Sequence, residues 1–110
     1  MKMEDVLGGL YSVVKSRHQN PQEGSYTCYL FQKGTNKILK KIGEESAETI
    51  IAVKDGDKKE VVAETCDLMY HIMVMLVNEG VALEDVYAEL SERSKKIGNL
   101  KKIRETDKST

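Results

Sequence analysis

Glu44, Glu45 and Glu48 are followed, sixteen residues beyond Glu48, by Glu64 and Asp67, and this spacing gives the acids chemistry in common. At about 100° per residue, positions three apart share a helix face, so Glu45 pairs with Glu48 and Glu64 with Asp67. From Val61 to Val77 the sequence is otherwise apolar nearly all round, and Glu64, Asp67 and His71 make one polar stripe, roughly 60° wide, along it. Carboxylates in such surroundings must be paired or bound to metal. Bringing the two pairs face to face gathers four carboxylates whose repulsion calls for a cation. Mg²⁺ is the natural choice, a hard ion that takes oxygen ligands and is commonly shared with substrate phosphates. Glu45, Glu48, Glu64 and Asp67 are its expected ligands. The competing reading leaves Glu44, Glu45 and Glu48 in solvent, with Lys or Arg pairing Glu64 and Asp67. His71 is either a core histidine satisfied by a hydrogen bond or a group that supports the site.

Both acidic pairs meet one ion only if their helices are close antiparallel neighbours. Thr35 or Asn36 caps a helix running to about Lys54, with Ile38, Leu39, Ile42, Ala47, Ile50 and Ile51 as its buried arc and the three glutamates flanking it. Lys37, Lys40 and Lys41 lie in the turns before those glutamates, placed to pair with them or to meet an incoming polyphosphate. Asp55-Gly56-Asp57 is a turn signal, and Asp57 with Glu60 imitates a capping box opening the apolar helix, which Gly80 ends. Upstream, Val6, Leu7, Leu10, Val13 and Val14 predict a first helix from about Met3 to Arg17, and the polar stretch from His18 to Gly24 a loop. Ser25 either caps the short helix that Gly34 ends or contacts a ligand, Tyr26 and Tyr29 either pack or bind, and Arg17 is a solvated helix end or a phosphate contact. Downstream, Leu83, Val86, Tyr87, Leu90 and Ile97 predict a last helix. Residues 1–98 read as a single all-α domain and 99–110 as a charged, frayed tail.

Seventeen basic and eighteen acidic residues in 110 leave a formal charge of −1, which argues against nonspecific nucleic-acid binding. No apolar run reaches the roughly 18 residues of a membrane span. Met1-Lys2-Met3-Glu4-Asp5 is not followed by a signal-peptide core, so a cytoplasmic protein is expected. Cys28 and Cys66 stand 38 positions apart with no C-x-x-C partner, and both read as reduced thiols, Cys66 in the core. The helix from about Lys58 to Val77 has more apolar surface than three substantial helices and one short segment can cover, which predicts a homodimer or larger homo-oligomer.

The pattern E-E-x-x-E then E-x-x-D, here Glu44, Glu45, Glu48 and Glu64, Asp67, resembles the all-α nucleotide pyrophosphohydrolases that include the MazG-type enzymes. Gly24-Ser25-Tyr26-Thr27, Lys40-Lys41-Ile42-Gly43-Glu44-Glu45, Asp67-Leu68-Met69-Tyr70-His71 and Leu83-Glu84-Asp85-Val86 with Glu89-Leu90 and Arg93 resemble, more closely, the phosphoribosyl-ATP pyrophosphohydrolases of histidine biosynthesis. That resemblance covers roughly residues 5 to 97. It implies a MazG-like helical bundle of four to five helices per chain, completed by oligomerisation. The implied reaction is Mg²⁺-dependent hydrolysis of phosphoribosyl-ATP to phosphoribosyl-AMP and pyrophosphate, the second step of histidine biosynthesis. Under it Glu45, Glu48, Glu64 and Asp67 hold the ion and Glu44 orients or deprotonates water. Arg17, Ser25, Tyr26, Lys40, Lys41 and His71 contact the nucleotide. Two-fold pairing of the chain could also bring Arg93 or Lys96 of the last helix to the acidic site of the other copy. The family's next activity, often fused to this one, needs a separate zinc domain for which this chain is too short. A general nucleoside triphosphate pyrophosphatase would share the acidic motifs but not Gly24-Ser25-Tyr26-Thr27. A noncatalytic helical interaction module is the alternative of another class.

Overall fold

The computed structural model describes residues 3–96, which form α1 (Met3–Gln19), α2 (Tyr26–Lys33), α3 (Thr35–Lys54), α4 (Lys58–Asn78) and α5 (Leu83–Ser94), with no strand among them. The expectations for Ile97 and for a tail over 99–110 lie outside the described residues.

α3 and α4 form a tight antiparallel hairpin. Asp57 caps α4 by accepting the Glu60 N–H at 3.1 Å, as the sequence pattern predicts. At the open end, the Asn78 side-chain amide donates to the Thr35 hydroxyl at 3.0 Å. α1 packs on α4, and α2 wedges between α1, α3 and α4. Val14, Leu30, Ile38, Met73, Val74, Leu76, Val77 and Leu83 form the core, so the second half of α4 is the rod around which the other helices gather. Tyr11 donates to the Val81 carbonyl at 2.8 Å and ties the start of α5 to α1.

Three sequence expectations are corrected. Neither Thr35 nor Asn36 caps α3. Gly34, at φ 89°, ends α2 by donating to the Leu30 carbonyl and opens α3 in the same residue, which makes Thr35 helical. A left-handed φ costs glycine little, and it permits this abrupt joint. The buried stripe of α3 runs through Ile38, Glu45 and Ala52. Leu39, Ala47, Ile50 and Ile51 are exposed instead, flanking that stripe on both sides, with Leu39 and Ile50 on one and Ile51 on the side of Glu48. Cys66 is likewise exposed, while Cys28 is buried and both thiols are free. Cys66 lies in the first half of α4, whose buried residues all come from His71 onward.

Candidate active site

Glu45 is the most buried of the acids, at 6% exposure, because it lies within the inward stripe of α3 rather than beside it. Glu64 faces it from α4, and Glu48 stands one turn further along α3. One carboxylate oxygen from each of the three lies within 4.8 Å of the others. Oε2 of Glu45 and Oε2 of Glu64 are both shut off from solvent with no hydrogen-bond partner. Carboxylates only accept, so these oxygens can satisfy one another only by sharing a proton. Sharing a proton with Glu48 is the chief reason the Glu64 carboxyl is pushed up to about 8 from its usual 4.5, with burial and Glu45 adding to the effect.

Because α3 and α4 are antiparallel, about 100° per residue turns Glu44, Glu48, Glu60, Glu64 and Asp67 to one side of the hairpin and Leu39, Ile50, Val53, Val62 and Met69 to the other. A cleft of about 190 Å³ opens on the acidic side, lined by Glu48, Ile51, Asp55, Glu60 and Glu64. Asp67 is exposed and stands outside the tight cluster of three. Glu44 is also exposed. Lys41 links it to the cluster, with Nζ 3.7 Å from Glu44 Oε2 and 3.7 Å from Glu45 Oε1. Burial works against the Lys41 charge, but Tyr26, Glu44 and Glu45 outweigh it and leave the ammonium harder to deprotonate than usual.

Ser25 caps α2 by accepting the Cys28 N–H at 3.2 Å, which is the structural alternative raised for it. The Cys28 thiol in turn accepts the Gln22 N–H at 3.2 Å and pins the preceding loop. That N–H is the main cause of its lowered pKa, which burial opposes. Tyr26 reaches α4 and meets His71, which is buried and hydrogen bonded. Arg17 is half-buried and Lys40 exposed, and neither forms an ion pair among the described residues. Arg93 and Lys96 are exposed on and just beyond α5. Arg93 pairs with Glu89 at 3.0 Å on its own helix, so within one chain neither is part of the cluster.

Sequence reasoning missed two participants. Glu60 contributes to the upward shift of Glu64 and lines the acidic cleft, and its place four residues before Glu64 was the available signal. Tyr70 hydrogen bonds to Thr27, beside the Tyr26–His71 pair, and its signal was adjacency to His71.

An all-α bundle whose central hairpin gathers glutamates from both helices around unpartnered oxygens has the architecture of the MazG-like nucleotide pyrophosphohydrolases. Residues 7–94 match the family described as phosphoribosyl-ATP pyrophosphohydrolase. The chain is 48% identical to a phosphoribosyl-ATP pyrophosphatase of Clostridium botulinum over 106 residues, 96% of each chain. It is 50% identical to that of Clostridium novyi over 97 residues, 88% of each. A histidine biosynthesis bifunctional protein HisIE of Caldanaerobacter subterraneus is 53% identical over 92 residues, 84% of this chain and 45% of that one. The chain belongs to the phosphoribosyl-ATP pyrophosphohydrolase family.

Proposed function

We propose that this protein is the enzyme that hydrolyses phosphoribosyl-ATP to phosphoribosyl-AMP and pyrophosphate in histidine biosynthesis. Family membership over most of the chain carries the choice of substrate. The observation that supports the site is the trio Glu45, Glu48 and Glu64, with two buried oxygens that lack any donor.

Mg²⁺ fits these residues, because an all-oxygen set of carboxylates with unsatisfied lone pairs suits a hard cation. Glu45, Glu48 and Glu64 would hold it, with Asp67 joining them from the same side of α4. Bound there, the ion would supply neutralisation of triphosphate charge. The chain's own groups do the rest. Lys41, anchored between Glu44 and Glu45, presents a cation at the edge of the cluster, and Arg17 and Lys40, which form no ion pair among the described residues, are cations for the remaining phosphate oxygens. Glu44 is exposed beside Lys41, and as a general base it would take a proton from the attacking water. The water oxygen bonds to phosphorus, the bridge between the α- and β-phosphates breaks, and its electron pair leaves on pyrophosphate.

The same reading includes a second copy of the chain. Leu39 at 49% exposure, Ile50 at 64%, Val62 at 64% and Met69 at 37% share the side of the hairpin opposite the acids. A self-complementary pairing about a two-fold axis would cover this side on both chains at once. Arg93 and Lys96 of the partner subunit would then be candidates to reach the acidic side. No helix among the described residues is long and apolar enough to cross a membrane. A substrate derived from ATP supports a cytoplasmic setting for the reaction.

The substrate test is pyrophosphate release with Mg²⁺ from phosphoribosyl-ATP and, in parallel, from the common nucleoside triphosphates. Strong preference for phosphoribosyl-ATP supports this reading. Equal or better turnover of ordinary triphosphates would make the protein a general pyrophosphatase.

A further inference from the structure

Two consecutive pairs of side chains join the first turn of α2 to α4, and their chemistry fixes the direction of the Tyr26 hydroxyl. His71 is 4% exposed, and its Nδ1 lies 2.7 Å from the Asp67 carbonyl oxygen one turn earlier. A carbonyl only accepts, so Nδ1 carries a proton, and in the ring with a single N–H this leaves Nε2 bare. Nε2 is 3.1 Å from the Tyr26 hydroxyl, which therefore donates to it. Beside this pair, Thr27 hydrogen bonds to the Tyr70 hydroxyl, and the Tyr70 and His71 rings meet edge to face at 4.9 Å. Both nitrogens of His71 are thus engaged within the protein.

A phenol has one proton. With it committed to His71, the Tyr26 oxygen offers a ligand only lone pairs. Burial pushes its pKa up, against the pull of Lys41, so the group stays a phenol. Tyr26 is nonetheless 47% exposed, and it borders an open cleft of about 480 Å³ lined also by Gln22, Gly24, Tyr29 and Gln32. That volume lies within the range of small-molecule sites. Tyr26 lines this cleft and is near enough to Lys41 and Glu45 for their charges to bear on its hydroxyl.

We propose that Tyr26 reads the nucleoside part of the substrate, accepting a hydrogen bond from a ribose hydroxyl or a base N–H, and that His71 is the positioning residue that gives Tyr26 this polarity. Phosphate oxygens in an ionised triphosphate have no proton to give, so Tyr26 contributes nothing to phosphate binding. The inference rests on the phosphoribosyl-ATP reading above and assigns one of its recognition contacts.

Tyr26→Phe keeps the ring and removes the oxygen. The expected result is a KM for phosphoribosyl-ATP raised about tenfold, the scale of one hydrogen bond, while inhibition by inorganic tripolyphosphate is unchanged. His71→Gln should raise KM as well, yet add little in the Tyr26→Phe background, because His71 acts through the hydroxyl. An unchanged KM in Tyr26→Phe, equal weakening of tripolyphosphate, or full multiplication of the two effects would overturn the proposal. If the wild-type protein fails to turn over phosphoribosyl-ATP, it is the functional reading that fails. Calorimetric titration of wild type and Tyr26→Phe with AMP and with tripolyphosphate then still tests the polarity, by the same contrast between nucleoside and phosphate.

Discussion

Glu45 on α3 and Glu64 on α4 bring carboxylate oxygens within 4.8 Å of each other, and each holds its Oε2 out of solvent with no donor beside it. Two like charges so placed favour either a shared proton or a cation. The hairpin is therefore built against its own repulsion until something positive arrives.

That repulsion predicts a pH-dependent stability in the absence of metal. The Glu64 carboxyl is raised from 4.5 to about 8 in the fold, so the folded state holds a proton that the unfolded chain releases. The contribution is fully present below 4.5 and lost as pH rises through about 8. Thermal melts in a chelator should show a midpoint that falls over the upper part of this window. Glu64→Gln should flatten the slope, and a wild-type midpoint that rises with pH there would contradict the coupling.

Removing a carboxylate should separate activity from stability. Glu48→Gln and Asp67→Asn should each lower turnover by about a hundredfold or more, since even the outer partners of a metal cost about 10–100-fold. Glu48→Gln, inside the tight trio, should also raise the melting temperature of the metal-free protein. Asp67→Asn should leave it unchanged, because Asp67 is exposed and apart. Near-normal turnover in both variants would remove the carboxylate site from the account.

Gly34 tests the joint between α2 and α3. Its φ of 89° is unfavourable for any residue with a Cβ, although nothing lies within 4 Å of where that atom would be. Gly34→Ala should therefore cost about 1–3 kcal/mol through backbone strain alone. Chemical denaturation reads this directly, and an unchanged midpoint would mean that the joint relaxes at no cost.

On the apolar side of the hairpin, Ile50 and Val62 are each 64% exposed in the single chain. Sedimentation at micromolar concentration should show a dimer or larger species for the wild type. Ile50→Glu and Val62→Glu should shift it toward monomer. A compact, active wild-type monomer at that concentration would contradict the second-copy reading.

Much of the fold was legible because its signals were local. The turn at Asp55-Gly56-Asp57, the Asp57 cap and the apolar run of α4 each declare themselves within a few residues. What periodicity could not give was which of two apolar faces on α3 the chain covers itself. Ile38 is buried, whereas Leu39 and Ile50, equally apolar, stay open, and Glu45 takes a place inside the stripe it was expected to flank. The same ambiguity misplaced Cys66, which is exposed because it stands on the half of α4 that contributes no buried residue. Glu60 was legible as a cap residue, and its second relationship, to Glu64 one turn later on the same helix, was open to the same i,i+4 reading but was passed over.

The central claim is that these carboxylates serve the cleavage of phosphoribosyl-ATP, and it is most directly tested by following the reaction with phosphorus NMR. With Mg²⁺, phosphoribosyl-AMP and pyrophosphate should appear in equal amounts. With a chelator, or in Glu64→Gln, the substrate signals should persist. Release of orthophosphate as the first product, or undiminished turnover in the chelator or in Glu64→Gln, would contradict the account.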